Sequence, residues 1–180
     1  MLARVVGDTV SRVRPQVWQT RDQFPSLRPV ELHVWLLQID RSQEDLLRSA
    51  LSPDELERAA QFMYPEHRTD FVVCRGALRV LLAHYAGTDP ARVPISYSEN
   101  GKPFLDHRSF SVKFNVSHSR EYALFAFSLG SDVGVDTEWR DADVFDAGLL
   151  KHCLHDTVLK TSHSLSPDQK APLFFEFGTR

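Results

Sequence analysis

Little in this sequence favours the specialised classes of protein. Only two cysteines, Cys74 and Cys153, occur in 180 residues. That excludes a disulfide framework and makes a reduced, cytoplasmic compartment the simplest expectation. No apolar run approaches the roughly 20 residues a membrane span needs, so no membrane partner is expected. Positive charge is not in excess. Lys and Arg number 21 against 24 Asp and Glu, a formal net charge of -3, which removes the electrostatic case for nucleic acid as a partner. Internal repeats and low-complexity tracts are absent. What remains is an ordinary globular composition, 42% hydrophobic and 25% charged, at about one domain's length.

The first 30 residues read differently from the rest. Arg4, Arg12, Arg14 and Arg21 are scattered among Val and Ser, but Asp8 and Asp22 argue against organelle targeting. Residues 1–30 are therefore expected to form a poorly ordered N-terminal extension. Residues 31–37 alternate as a strand, with Leu32, Val34 and Leu36 on one side and His33 and Trp35 on the other. A short helix is predicted over 42–50. Ser52-Pro53-Asp54-Glu55 opens another, with Ser52 as cap, Pro53 in the first turn and Glu55 completing a capping box. The clearest helix covers 68–85. Its core face is Phe71, Cys74, Leu78, Leu81, Leu82 and Tyr85, and Gly87 follows as C-cap. Strands are predicted over 95–97, 114–116, 122–127 and 133–139, with a turn at Asn100-Gly101 and a loop after 116. Helical spacing returns over 143–159, and Ser166-Pro167-Asp168-Gln169 opens a last helix.

Four constellations could carry chemistry. In Val133-Gly134-Val135-Asp136-Thr137-Glu138, strand alternation puts Gly134, Asp136 and Glu138 on one face and Val133, Val135 and Thr137 on the other. Two convergent carboxylates suit a hard cation such as magnesium, and Gly134 leaves room for a bulky anion. On spacing alone the pair is either such a site or a solvated strand face. Phe114-Asn115-Val116-Ser117-His118-Ser119 offers hydroxyl and imidazole donors for phosphate oxygens. A Ser117–His118 nucleophile and base are poorly placed, because adjacent side chains of an extended segment diverge. An ordinary polar loop is the other reading. Third, Arg75 and Arg79 lie four apart on the long helix, with Arg58 on the preceding one and Lys102 after a Gly turn. They are natural phosphate donors or else a solvated basic face. Fourth, His152, Cys153, His155 and His163 lack zinc-ligand spacing.

Taken in order, Gly101-Lys102-Pro103, the 114–119 segment and the 133–138 segment resemble the surfactin-synthetase-activating branch of the 4'-phosphopantetheinyl transferases. The resemblance starts near Glu31 and runs to the end. It implies an α+β fold of two pseudo-two-fold lobes, here 31–130 and a partial 131–180. It implies transfer of the phosphopantetheine arm of coenzyme A to a serine of an acyl, peptidyl or aryl carrier protein, by a monomer. By resemblance, Asp136 and Glu138 are catalytic magnesium ligands. Arg58, Arg75, Arg79, Gly101, Lys102, Pro103, Asn115, Ser117 and His118 are coenzyme A contacts.

One motif of that family is missing. It reads Trp-x-x-Lys-Glu, and here Gly178 stands at the Trp position of the approach 174–180. The expectation is a truncated second lobe, a weaker metal site, uncovered apolar surface and activity that is impaired or lost. A catalytically inactive remnant that still binds coenzyme A or a carrier protein is the alternative. A magnesium-dependent phosphohydrolase using Asp136 and Glu138 would leave Lys102 and the 115–119 segment unexplained.

Overall fold

A computed structural model of the chain describes residues 2–8, 19–20, 24–106 and 111–139. The chain divides into two compact units, Met1–Thr137 and Glu138–Arg180. In the second, the description covers Glu138 and Trp139 alone. The predicted helices over 143–159 and from Ser166, the His152 cluster and the 174–180 segment lie outside the described residues.

The first unit mixes strands and helices, as an α+β protein should. The strands are β1 (Leu2–Asp8), β2 (Gln19–Thr20), β3 (Glu31–Gln38), β4 (Ile95–Tyr97), β5 (Pro103–Leu105), β6 (Val112–Ser119) and β7 (Tyr122–Leu129). The helices are α1 (Glu44–Arg48), α2 (Pro53–Ala60) and α3 (Pro65–Ala86). A five-stranded sheet has the order β2-β1-β3-β7-β6, and β4 and β5 form a separate hairpin. Every pairing in the five-stranded sheet is antiparallel. No helix among the described residues is long and apolar enough to cross a membrane.

Residues 1–30 do not all stand outside this fold. Leu2–Asp8 pairs with β3, from Leu2 opposite Leu37 to Asp8 opposite Glu31. Without β1 that edge of β3 would present unpaired backbone groups. The scattered arginines had hidden a β-branched run, Val5-Val6.

One face of the sheet makes the core. His33, Trp35 and Leu37 stand opposite Phe127, Phe125 and Ala123, and Phe114 stands opposite Phe127. All are buried, and Val73, Ala77, Leu78, Leu81 and Leu82 of α3 pack against Trp35, Phe125 and Phe127. The inward side of β3 is thus the His33–Trp35 side, while Leu32, Val34 and Leu36 are half-buried. His33 is accommodated because its Nδ1 lies 2.8 Å from the Tyr85 hydroxyl, which also accepts from Trp35 Nε1 at 2.8 Å.

Helix α3 is longer than its periodicity suggested and buries more than one face. Leu51, Ala59 and Val72 form a second small cluster between α2 and α3. Gly76 is buried against α1, where a Cβ would lie 2.6 Å from the Leu47 carbonyl oxygen. Gly87 ends the helix at φ 63 and donates to Ala83 O.

Two predicted elements differ. Strand β6 continues through Ser119, so Ser117 and His118 lie in a ladder opposite Leu124 and Ala123 and not in a loop. The apolar run of β7 supplies a long partner that the short 114–116 pattern did not reveal. Conversely, 132–139 is not a strand. Its alternation survives, with Val133, Val135 and Thr137 half-buried and Gly134 and Asp136 exposed. Its recorded partners are side chains where a strand would have a backbone ladder.

Candidate functional site

The basic wall is built first by α2 and α3. Pro53 fits the first turn of α2, and Glu55 accepts from the Ser52 amide at 3.1 Å. That carboxylate is buried and does more than cap. Its Oε2 accepts from Arg79 Nε, and its Oε1 lies 3.6 Å from Arg75 Nε. One buried anion therefore braces two arginines that are one helical turn apart.

The two arginines have different fates. Arg79 is buried and donates through Nη1 to Pro90 O at 2.8 Å and Val93 O at 3.1 Å. It ties α3 to the chain entering β4, and this geometry gives it a structural post away from the ligand cavity. Arg75 lines that cavity. Its guanidinium carbon lies 5.7 Å from the ring centres of both Phe71 and Tyr97. Arg58 reaches the same rings from α2, at 5.4 and 5.9 Å. The aromatic faces attract both cations and hold them close together despite their like charge. Arg75 Nη1 is buried with no hydrogen-bond partner among the described residues, a donor that an anion would satisfy.

This wall opens on a cavity of about 580 Å³ lined by Arg58, Arg75, Pro103 and His118, together with His67, Asp70, Phe71, Cys74 and Arg120. Four residues expected to bind one ligand thus share one cavity, although they come from α2, α3, β5 and β6. Asp70 is occupied by Arg41, at 2.7 and 2.8 Å. Burial pushes the Cys74 thiol up to about 12, which disfavours its thiolate form.

Lys102 and Pro103 also line a second cavity of about 740 Å³ with Lys113, Asp106, Asp132 and Val133. Pro103 is the residue the two cavities share. Gly101 shapes the β4–β5 turn at φ 75, with its amide donating to Ser98 O at 2.8 Å, and has no side chain to offer.

The acidic segment runs over the other face of β6. Asn115 and Ser117 are two apart and share that face. Asn115 Oδ1 accepts from the Val135 amide at 2.8 Å, and Ser117 Oγ accepts from the Thr137 amide at 3.1 Å. Ser117 also donates to Asp136 Oδ1 at 2.8 Å, and the Thr137 amide donates to the same oxygen at 2.9 Å. Asn115 is thereby a backbone clamp, and Ser117 orients an exposed carboxylate. His118, the next residue, points into the first cavity, so Ser117 and His118 diverge as alternation requires. Glu138, in the second unit, is exposed, and its Oε1 accepts from the Trp139 amide at 3.1 Å. No group of three His, Cys, Asp or Glu side chains that could hold a metal occurs among the described residues. The exposed Asp136 carboxylate, oriented by Ser117, is the kind of oxygen donor that suits a hard cation taking its remaining ligands from phosphate and water.

Sequence reasoning missed Glu55 as a brace, the Phe71–Tyr97 ring pair, and His67 and Arg120. Phe71 carried a signal, because it precedes Arg75 by four residues on the helix. Tyr97 and Arg120 carried none, since only the hairpin positions bring them near.

Residues 39–129 match the family model for the N-terminal part of 4'-phosphopantetheinyl transferases. The chain is 34% identical to the 4'-phosphopantetheinyl transferase HetI of Nostoc sp. over 166 residues, 90% of this chain and 70% of that protein. It is 29% identical over 147 residues to a putative 4'-phosphopantetheinyl transferase of Synechocystis sp., covering 81% of this chain and 60% of the relative. It is 26% identical over 139 residues to the 4'-phosphopantetheinyl transferase of Bacillus subtilis, covering 76% and 59%. On the matched helices, cavity wall and β6–β7 hairpin, the chain belongs to the 4'-phosphopantetheinyl transferase family of transferase enzymes.

Proposed function

We propose that this chain binds coenzyme A in the cavity between α2, α3 and β6 and transfers its 4'-phosphopantetheine arm to a serine of an apo carrier protein. The observation that carries the reading is the gathering of Arg58, Arg75, Pro103 and His118 around one cavity, with the oriented Asp136 carboxylate held by the residue next to His118. Coenzyme A carries a pyrophosphate and a 3'-phosphate, so its site needs several donors and a counter-charge. Arg58 and Arg75 supply charged donors; the two rings hold both, and Glu55 holds Arg75, before ligand arrives. His118 donates from the strand side, and Lys102 stands on the hairpin in the second cavity, which meets the first at Pro103.

In the reaction, the serine oxygen of the carrier forms a bond to the phosphorus that bears pantetheine. The bond to the leaving adenosine 3',5'-bisphosphate breaks, and the serine proton passes to a base. Asp136 and Glu138 are the magnesium ligands of this reading. The ion would supply charge neutralisation for the pyrophosphate. Ser117 fixes which oxygen of Asp136 faces the protein and leaves the other outward. We infer a cytoplasmic monomer as the working form.

The test is direct. The chain is incubated with coenzyme A, magnesium and an apo carrier protein, and the carrier is weighed by mass spectrometry. Addition of one phosphopantetheine arm supports the reading. Coenzyme A binding without transfer reduces the chain to a binding remnant. Phosphate release without a carrier would replace the reading with a phosphohydrolase.

A further inference from the structure

We propose that Arg120, at the tip of the β6–β7 hairpin, is a further phosphate-binding residue of the first cavity, opposing Arg58 and Arg75 from the strand side. The inference rests on the coenzyme A reading above and names a residue that reading did not use.

Ser119 pairs with Tyr122, so Arg120 and Glu121 form a two-residue connection. Its first position has φ 51, a backbone conformation that Gly or Asn adopts at less cost than Arg. The left-handed backbone alone would not mark a site, since Val30 shares it in an exposed turn at φ 62. The position of Arg120 in the cavity lining makes the difference. Conformational strain retained where a side chain faces a binding cavity is the pattern expected of a functional residue.

The charge balance points the same way. Among the described lining residues the arginines are Arg58, Arg75 and Arg120 and the acid is Asp70; Arg41 pairs with that acid, and Glu55 lies 3.6 Å from Arg75. Arg58 and Arg75 are bound to one pair of rings and approach from the helices. Arg120 and His118 approach from the hairpin. A polyphosphate ligand is then held between two walls of positive charge, and neither wall alone encloses it.

The experiment is titration calorimetry of the full chain with coenzyme A, paired with thermal melts. R120G and R120N should weaken coenzyme A binding by about 10-fold, and R120K should stay within about 3-fold of the parent. The thermal melts report whether R120G and R120N stay folded at the titration temperature. That separates lost binding from lost folding. If R75A weakens binding while R120G and R120N bind within about 2-fold of the parent, Arg120 is only a turn residue and this inference falls alone. If the unaltered chain fails to bind coenzyme A, the site reading and this inference fall together.

Discussion

The two halves of the candidate site are built in opposite ways. The basic half stands on regular structure. Arg58 and Arg75 project from helices and share Phe71 and Tyr97, and the buried Glu55 braces Arg75. The acidic half has no ladder of its own. Residues 133–137 lie across β6 and are held by Asn115 and Ser117 side chains through three hydrogen bonds. A phosphate-binding wall gains from rigidity, since its donors must already face the anion. A segment that carries a cation ligand and depends on side-chain clamps can adjust to the ion, at the cost of depending on single hydrogen bonds. The comparison teaches that affinity for the nucleotide and response to magnesium should be separable by mutation.

The largest effect should come from Asp136→Ala. Carrier modification at saturating magnesium is expected to fall by about 10³-fold, the scale of losing metal-assisted charge stabilisation. Coenzyme A affinity measured without magnesium should hardly change, and an equal loss there would join the two halves that the structure separates. Next is Arg75→Ala. Loss of a charge-assisted donor should weaken coenzyme A binding by about 10- to 100-fold, with or without magnesium. A loss confined to magnesium-containing buffer would move Arg75 into the acidic half.

Gly76→Ala probes the rigidity of the helical wall without touching ligand. A Cβ there meets Leu47 at 2.6 to 2.7 Å, and overpacking of this kind costs about 2 kcal/mol. The melt should drop by roughly 5 °C, while the folded protein keeps its coenzyme A affinity. An unchanged melt would show that α1 yields easily and that the wall is softer than argued. The smallest effect belongs to Asn115→Ala. Removing one hydrogen bond to the acidic segment should cost about 1 kcal/mol. It should raise the magnesium concentration needed for half-maximal activity by a few-fold and speed hydrogen exchange at the Val135 amide. Unchanged protection there would mean that the segment is held by something other than its clamps.

How legible these halves were follows from the range of the contacts that make them. Helix α3 could be read from period and caps, and Gly87 ended it as expected, because those signals lie within a few residues of each other. The inward side of β3 could not be read in that way. Both of its faces are apolar, and only the pairing of Trp35 with Phe125 and His33 with Phe127 selects the side that meets α3. The 133–138 segment was read correctly in its alternation and incorrectly as a strand. Hydrophobic alternation records which side chains turn inward, whereas a strand also needs a backbone partner, and the partners here are side chains. Sequence spacing put Arg75 and Arg79 on one helix face. A buried glutamate and two carbonyls claim Arg79, and none of those partners lies within ten residues of it.

By itself, then, the sequence determined the residue types and their order: a basic helix pair, a Gly-Lys-Pro turn, a hydroxyl beside an imidazole, and alternating acids after them. Those are local chemical facts, fixed by spacing and backbone geometry. Only the tertiary structure decided which of the cations face a cavity, that Asn115 and Ser117 clamp the acidic segment, and that a hairpin tip carries Arg120 to the same opening. Those outcomes depend on packing between elements far apart in the chain, where burial and pairing choose among side chains that look alike in sequence.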